Sequence, residues 1–278
     1  MNKNQLALAA LLCCASCGAF AQTAAPAAAA PASDWTLTGN AGLFGDYRFR
    51  GFTQTGYKPA FQGGFDVAHV SGFYVGNWNS NVESGLYNGA SLEMDFYGGY
   101  KKAFGDFGVD LGALYYYYPN SGKFANSTKV KNGELYAGAN YKMFSAKYYY
   151  GVTKFFSLGQ GPTLGAPVTG ADVNTRGSWY LDLSSAFDLG DGWGVQAHYG
   201  YQRVRNGRLL FNNTTGPIFT DANRVSDYKL GVSKDLSGWV VGAALVGTSR
   251  RDFFRTAESG FTSGAGGTRV VASLSKTF

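Results

Sequence analysis

The stretch Trp193-Gly194-Val195-Gln196-Ala197-His198-Tyr199-Gly200-Tyr201-Gln202-Arg203 sets Trp193, Val195, Ala197, Tyr199 and Tyr201 in one phase and Gln196, His198 and Gln202 in the other. A period of two places the apolar set on one face of an extended strand and the polar set on the opposite face. The same alternation recurs along the chain. Trp35, Leu37, Ala41, Leu43, Tyr47 and Phe49 oppose Thr36, Thr38, Asn40, Asp46, Arg48 and Arg50. Ala90, Leu92, Met94, Phe96 and Tyr100 oppose Ser91, Glu93, Asp95 and Lys101. Leu135, Ala137, Ala139 and Tyr141 oppose Glu134, Asn140 and Lys142, and Trp179, Leu181, Leu183 and Phe187 oppose Asp182, Ser184 and Asp188. About twelve such runs can be counted, near 35–50, 59–70, 73–83, 89–102, 107–118, 133–143, 145–154, 178–188, 193–203, 227–235, 239–250 and 269–278. Most have the length of a tilted membrane strand, about 9–11 residues.

The connections carry the second half of the argument. Ser71-Gly72, Gly105-Asp106, Met143-Phe144, Gly190-Asp191-Gly192 and Ser237-Gly238 lie in short turns. Long connections near 51–58, 84–88, 119–132, 155–177, 204–226 and 251–268 alternate with them. Short turns at one end and long loops at the other are the habit of an outer-membrane barrel, with the turns periplasmic and the loops extracellular. Aromatic residues accompany the turns (Phe73, Phe107, Phe144, Trp193, Trp239) and predict one interfacial girdle. Tyr47, Phe49, Tyr115, Tyr117, Tyr199 and Tyr201 predict the other. The sequence therefore predicts an all-β fold: a transmembrane, antiparallel, up-and-down β-barrel of about 12 strands. A soluble β-domain explains the alternation but not a charged inward phase of this size, because buried charge is costly unless paired.

Composition excludes the competing classes. The 278 residues are 45% hydrophobic, 16% aromatic and 15% charged, with 40 Gly and a mean hydropathy of −0.15. Polytopic helical membrane proteins need repeated apolar runs of about 18 residues or more, which are missing. Disordered chains are poor in aromatics. Residues 1–21 read as a cleaved signal peptide, with Lys3, an apolar stretch from Leu6 to Phe20 and the Ala19-Phe20-Ala21 cleavage pattern. Cys13, Cys14 and Cys17 all lie there, so disulfide chemistry is not expected of the mature chain. Residues 22–33 read as an Ala/Pro-rich flexible lead-in, and 34–278 as the barrel.

Several stretches resemble one family. They include Gly45-Asp46-Tyr47-Arg48-Phe49-Arg50-Gly51-Phe52-Thr53-Gln54-Thr55, Lys58-Pro59-Ala60-Phe61-Gln62-Gly63-Gly64-Phe65-Asp66 and Ser71-Gly72-Phe73-Tyr74-Val75-Gly76-Asn77-Trp78. Glu93-Met94-Asp95-Phe96-Tyr97-Gly98-Gly99-Tyr100, Tyr116-Tyr117-Tyr118-Pro119, Glu134-Leu135-Tyr136, Ser226-Asp227-Tyr228-Lys229-Leu230-Gly231-Val232 and Asp235-Leu236-Ser237-Gly238-Trp239 continue it. The sequence resembles the TorF-type porin family, also catalogued as a Gcw-type conserved protein of unknown function. The resemblance covers nearly the whole mature chain and implies an outer-membrane barrel of proteobacteria. It implies little about substrate.

The inward phase predicts a pore lining of Asp46, Arg48, Arg50, Asp66, Glu93, Asp95, Lys101, Asp110, Glu134, Lys142, Lys147, Asp182, His198, Asp227 and Lys229. Rings of charge set pore selectivity, so these residues point to diffusion of small hydrophilic solutes through a charged lumen. The alternative is that the charges pair across a narrow barrel and leave a non-conducting envelope protein, since diameter scales with strand number. Taken as 51–58, 81–89, 119–133, 154–178, 203–226 and 250–268, the long loops hold 13 basic against 5 acidic residues, and the remainder of the mature chain is net acidic. Arg203, Arg205, Arg208, Arg224, Arg250, Arg251 and Arg255 dominate the basic end. Arginine suits bidentate phosphate recognition, which suggests contact with lipopolysaccharide phosphates or attraction of anions. The expected partners are outer-membrane lipid, lipopolysaccharide, small solutes and the outer-membrane assembly machinery, with no nucleic acid. No G-x-S-x-G elbow, metal-ligand cluster or dinucleotide motif occurs, so no enzyme activity, metal or cofactor is expected.

Overall fold

A sheet whose strands all alternate, and which curls until its edges meet, turns the apolar phase outward and the polar phase inward. The computed structural model describes residues 33–123, 129–158, 173–207, 223–251 and 264–278. Its strands are β1 (Trp35–Phe44), β2 (Arg48–Phe49), β3 (Phe52–Thr53), β4 (Ala60–His69), β5 (Phe73–Asn81), β6 (Leu92–Phe104) and β7 (Phe107–Tyr117). They continue as β8 (Lys131–Tyr141), β9 (Phe144–Gly151), β10 (Trp179–Gly190), β11 (Trp193–Arg203), β12 (Arg224–Leu236), β13 (Trp239–Thr248) and β14 (Arg269–Thr277). Twelve of these close into an antiparallel barrel in chain order, while β2 and β3 pair only with each other. The expected architecture is therefore the observed one.

The seam joins β1 to β14 from Asn40↔Thr277 to Phe44↔Ser273. Backbone bonds Gly39 N to Phe278 O (2.7 Å) and Phe278 N to Gly39 O (2.9 Å) extend it. The phenyl ring of Phe278 lies against Gly39, where a β-carbon would fall 2.5 Å from its Cε2. At the turn between β10 and β11, Asp191 and Gly192 both take positive φ (49° and 76°). That is the primed two-residue turn whose twist matches antiparallel strands.

The outer surface is apolar. Leu37 is 69% exposed, Val75 59%, Leu111 55% and Leu230 59%. Phe73, Phe104, Phe107, Phe144, Trp193 and Trp239 ring the short-turn end, and Tyr115, Tyr117, Tyr148, Tyr150, Tyr199 and Tyr201 ring the other. An apolar belt between two aromatic girdles is the exterior of a membrane-spanning barrel.

Two expectations need correction. The first run does not continue as a wall strand to residue 50: β1 ends at Phe44. The chain then turns into the lumen, and Tyr47 and Phe49 are buried inside at 1% and 8% exposure rather than joining the girdle. The cause is that a hairpin within the lumen also has two faces, so its alternation has the same period as a wall strand. Lys142 is not on the wall either. Strand β8 ends at Tyr141, and Lys142 sits exposed in the following turn at φ 51°, 3.9 Å from Asp106. The chain reverses at Tyr141, one residue before Lys142, so the inward phase of the strand does not extend to it.

Substituting Leu111→Arg, midway along β7 on the outer face, should destabilise the barrel by about 2–4 kcal/mol in reversible unfolding from phospholipid vesicles. Unchanged stability would argue against lipid contact at that face.

Candidate functional site

The segment between β1 and β4 decides the interior. Its tip, Arg50-Gly51, joins β2 to β3 with both residues at positive φ (47° and 80°). Asn or Asp is the usual residue at the first position of such a turn, so arginine there is held in a sparsely populated conformation. Gly51 is required at the second. A β-carbon would sit 2.4 Å from Thr248 Cγ2, 2.7 Å from Asp227 Cβ and 2.8 Å from the Gly247 carbonyl oxygen. The tip is thus seated against β12 and β13.

From this seat Arg50 reaches the far wall. Its Nη2 donates to Glu134 Oε2 on β8 at 2.7 Å, and its Nη1 donates to Gln202 Oε1 on β11. The guanidinium carbon lies 4.2 Å from the ring centre of Tyr180 on β10 and 5.5 Å from that of Tyr149 on β9. In the ring order, β9 stands six strands from β1 in either direction. The Arg50 side chain therefore extends from the hairpin tip to the strands opposite β1. Tyr116 OH also donates to Glu134 Oε2 (3.2 Å), so the carboxylate serves two donors.

The body of the segment is bonded in the same way. Arg48 Nε donates to Asp46 Oδ2 at 2.5 Å, and its Nη1 donates to the carbonyls of Gly51 and Gly267, both at 2.9 Å. Thr53 Oγ1 donates to Asp46 Oδ1 at 2.5 Å. Burial pushes the Asp46 carboxyl above its ordinary range, opposed by the Arg48 charge and by the hydroxyls of Thr53 and Thr55. Tyr47 OH and Tyr118 OH donate to the two oxygens of Glu93, each at 2.6 Å. Asp95 lies beside them, buried, with no donor to its Oδ1 among the described residues.

Apolar packing fills the remainder of this level on the β4–β8 side. Tyr47, Phe49, Trp78, Val82, Tyr87, Tyr116, Tyr118 and Val130 form one cluster with Phe156 against it. Phe156, in a single 3-10 turn at Phe155–Ser157, stacks edge-on to Phe49 with centroids 5.6 Å apart. Burial of this kind stabilises by roughly 1.5–3 kcal/mol per large side chain.

Toward the short-turn end the lining is charged and less buried. Lys147 Nζ donates to Asp110 Oδ2 (2.7 Å), Tyr74 OH donates to Asp110 Oδ1 (2.5 Å), and the hydroxyls of Tyr74 and Tyr136 are hydrogen-bonded. Tyr97 OH donates to Asp66 Oδ1 (2.7 Å), and Lys101 Nζ lies 5.2 Å from the Tyr74 ring centre. Together these groups form a hydrogen-bonded polar layer on the inner wall toward the short-turn end.

A family described as a bacterial protein of unknown function, Gcw_chp, matches residues 28–278. The chain belongs to the Gcw_chp family. That match carries the Gcw-type side of the sequence resemblance and does not carry the TorF-type label. No curated protein matches the chain. Among solved structures, the KdgM porin is 9% identical at a TM-score of 0.48, covering 87% of this chain and 98% of its own. The NanC porin is 8% identical at 0.49, with 87% and 99% covered. OprD of Pseudomonas aeruginosa is 14% identical at 0.37, with 87% of this chain and 64% of its own covered. These likenesses are of overall shape.

In this Gcw_chp barrel, Asp46, Arg48 and Arg50 lie in the lumen on the hairpin, and Glu93, Asp95, Glu134, Lys147, Asp182 and Asp227 are buried on the inner wall. Asp66, Lys101, Asp110, His198 and Lys229 are half-buried. Arg203, Arg205, Arg224 and Arg251 are exposed at the long-loop end and Arg250 half-exposed. Arg208 and Arg255, like residues 1–32, lie outside the described residues.

Sequence reasoning missed the partners of His198. Its Nε2 lies 2.8 Å from Asp227 Oδ1, and its Nδ1 lies 3.2 Å from Asp182 Oδ1 and 3.0 Å from Ser184 Oγ. Ser, His and Asp are in contact, as in a hydrolase relay. The proton of Ser184, however, goes to Asp182 Oδ1 at 2.5 Å. Both ring nitrogens face carboxylates, so the ring is satisfied as an imidazolium tying β10, β11 and β12 together rather than as a free base. The shared inward phase of Asp182, Ser184 and His198 was the available signal; only the register (Ser184↔His198 and His198↔Lys229) brings them level.

Replacing Arg50 with Met leaves Glu134 buried without its cation. This should cost about 3–5 kcal/mol in unfolding from detergent or vesicles, and adding Glu134→Leu should recover most of the loss. A single variant as stable as the parent would show that the pair does not hold the hairpin.

Proposed function

We propose that this protein is an outer-membrane channel for small hydrophilic solutes, with the β2–β3 hairpin as its constriction. One observation carries the reading: the β2–β3 hairpin folds into the lumen and is fixed there by polar contacts, with the buried Arg50–Glu134 ion pair and the Arg50–Gln202 bond reaching the opposite wall. A barrel that served only as a wall could be filled with apolar side chains at less cost, since replacing buried ion pairs by hydrophobic residues is often neutral or stabilising. The half-buried Asp66, Lys101 and Asp110 below the hairpin supply a polar route. The apolar exterior supports insertion in a bilayer, and the period-two wall with one end of short turns supports the periplasmic orientation of that end.

In this reading, solute size is limited by the gap beside the hairpin, and sign selectivity comes from Arg50 and Arg48 facing Glu93, Asp95 and Glu134. Charge arranged around a constriction selects ions by the field it presents. The tight burial around Arg50 also supports a second reading, a barrel that the hairpin closes permanently and that acts at the surface through its loops.

Planar-bilayer recordings separate the two. The parent protein should give small or infrequent current steps. A variant with residues 47–54 replaced by a short Gly/Ser linker should give steps several-fold larger, with a changed reversal potential in a salt gradient. A folded deletion variant with no steps would favour the second reading, and one with the parent's conductance would remove the hairpin as the constriction.

A further inference from the structure

The long-loop ends of β11 and β12 carry an arrangement that the lumen does not use. Arg203 and Arg224 are direct cross-strand partners. Both are exposed, and both take the outward phase of Tyr201 and Tyr199 on β11 and of Ser226 and Tyr228 on β12. Like charges directly opposite each other destabilise a strand pair. Neither arginine forms an ion pair among the described residues.

Their height on the barrel is set by the neighbours. Trp179 on β10 is the register partner of Arg203. Its ring lies 5.5 Å from that of Tyr201 and 5.7 Å from that of Tyr148, so the three form a continuous part of the aromatic girdle. Such rings sit at the level of lipid headgroups. Arg203 is the next outward-phase residue after Tyr201 on β11, level with Trp179, and Arg224 stands opposite it. Arg250 adjoins it, its Nε donating to the Arg224 carbonyl at 3.3 Å.

We propose that Arg203 and Arg224 together clamp a phosphate group of an outer-leaflet lipid, with the sugar or glycerol portion of that lipid against Trp179 and Tyr201. This rests on the membrane-barrel reading and on the long loops facing outward. Two guanidinium forks converging on one phosphate turn a repulsive register into a charge-assisted one. An aqueous anion would have no reason to prefer the outward face beside the girdle over the basic loops above it.

The experiment uses the full mature barrel folded in phosphatidylcholine vesicles. Protease protection first establishes insertion, for the parent and for Arg203→Gln with Arg224→Gln. Failure of the parent to insert sinks the membrane reading and the proposal with it. The unfolding midpoint, read by heat-modifiable gel mobility, is then measured with added lipid A, with lipid A stripped of its phosphates, and with inorganic phosphate. The parent should gain stability only with phosphorylated lipid A. The double Gln variant should match or exceed the parent in phosphatidylcholine alone, because repulsion is relieved, yet lose at least half of the lipid A shift. Arg203→Lys with Arg224→Lys should keep part of the shift, retaining the charge but not the fork. An equal shift in parent and Gln variant, an equal shift with stripped lipid, or a shift with inorganic phosphate alone would each overturn the proposal.

Discussion

Every backbone polar group in the hydrocarbon layer must find a partner within the protein, and an open sheet edge there leaves a row of them unmet. The β1–β14 seam removes that edge. It is the pairing with the widest separation in the chain, joining residues 39–45 to 272–278. The other eleven pairings join wall strands that follow one another along the chain. Closure fixes the strand number, and the strand number fixes the interior width. The outer belt, the girdles and the lumen all follow from it.

A closed barrel of this width encloses polar side chains that cannot reach bulk water freely, so each must find a partner inside. The hairpin supplies many of them. Asp46 is bonded to Arg48 and Thr53, Glu93 to Tyr47, and Glu134 to Arg50. The two walls are dressed accordingly. The β6–β11 side offers carboxylates and tyrosines to the hairpin tip, whereas the backbone of the tip is seated against Asp227 on β12 and Gly247 and Thr248 on β13. A strained arginine at a turn position suited to Asn is kept because its side chain reaches groups on four strands. In the same interior the hydroxyl of Ser184 donates to Asp182 while the ring of His198 lies between Asp182 and Asp227.

The exterior and interior thus obey different rules. Outside, position along the strand sets whether a side chain meets acyl chains, the girdle or the headgroups, and the outward residues Leu230, Tyr228 and Arg224 of β12 illustrate the progression. Inside, position matters less than reach, because long side chains from one strand meet groups on distant strands across the lumen.

Strand class, a count of about twelve, the outward apolar phase and the alternation of short and long connections are all legible in the residues alone. These are local properties: a period of two is written within each strand, and Asp191-Gly192 or Ser237-Gly238 mark their own turns. The inward assignments of Glu93, Asp95, Glu134, Asp182 and Asp227 were legible for the same reason. That residues 46–55 leave the wall, that Tyr47 and Phe49 point inward, and that Arg50 meets Glu134, 84 residues away in sequence, emerges from the closed fold. An in-lumen hairpin and a wall strand alternate identically, so periodicity has no means of separating them. Which inward charges become partners depends on register and curvature summed over the whole ring, and no stretch of the chain carries that sum.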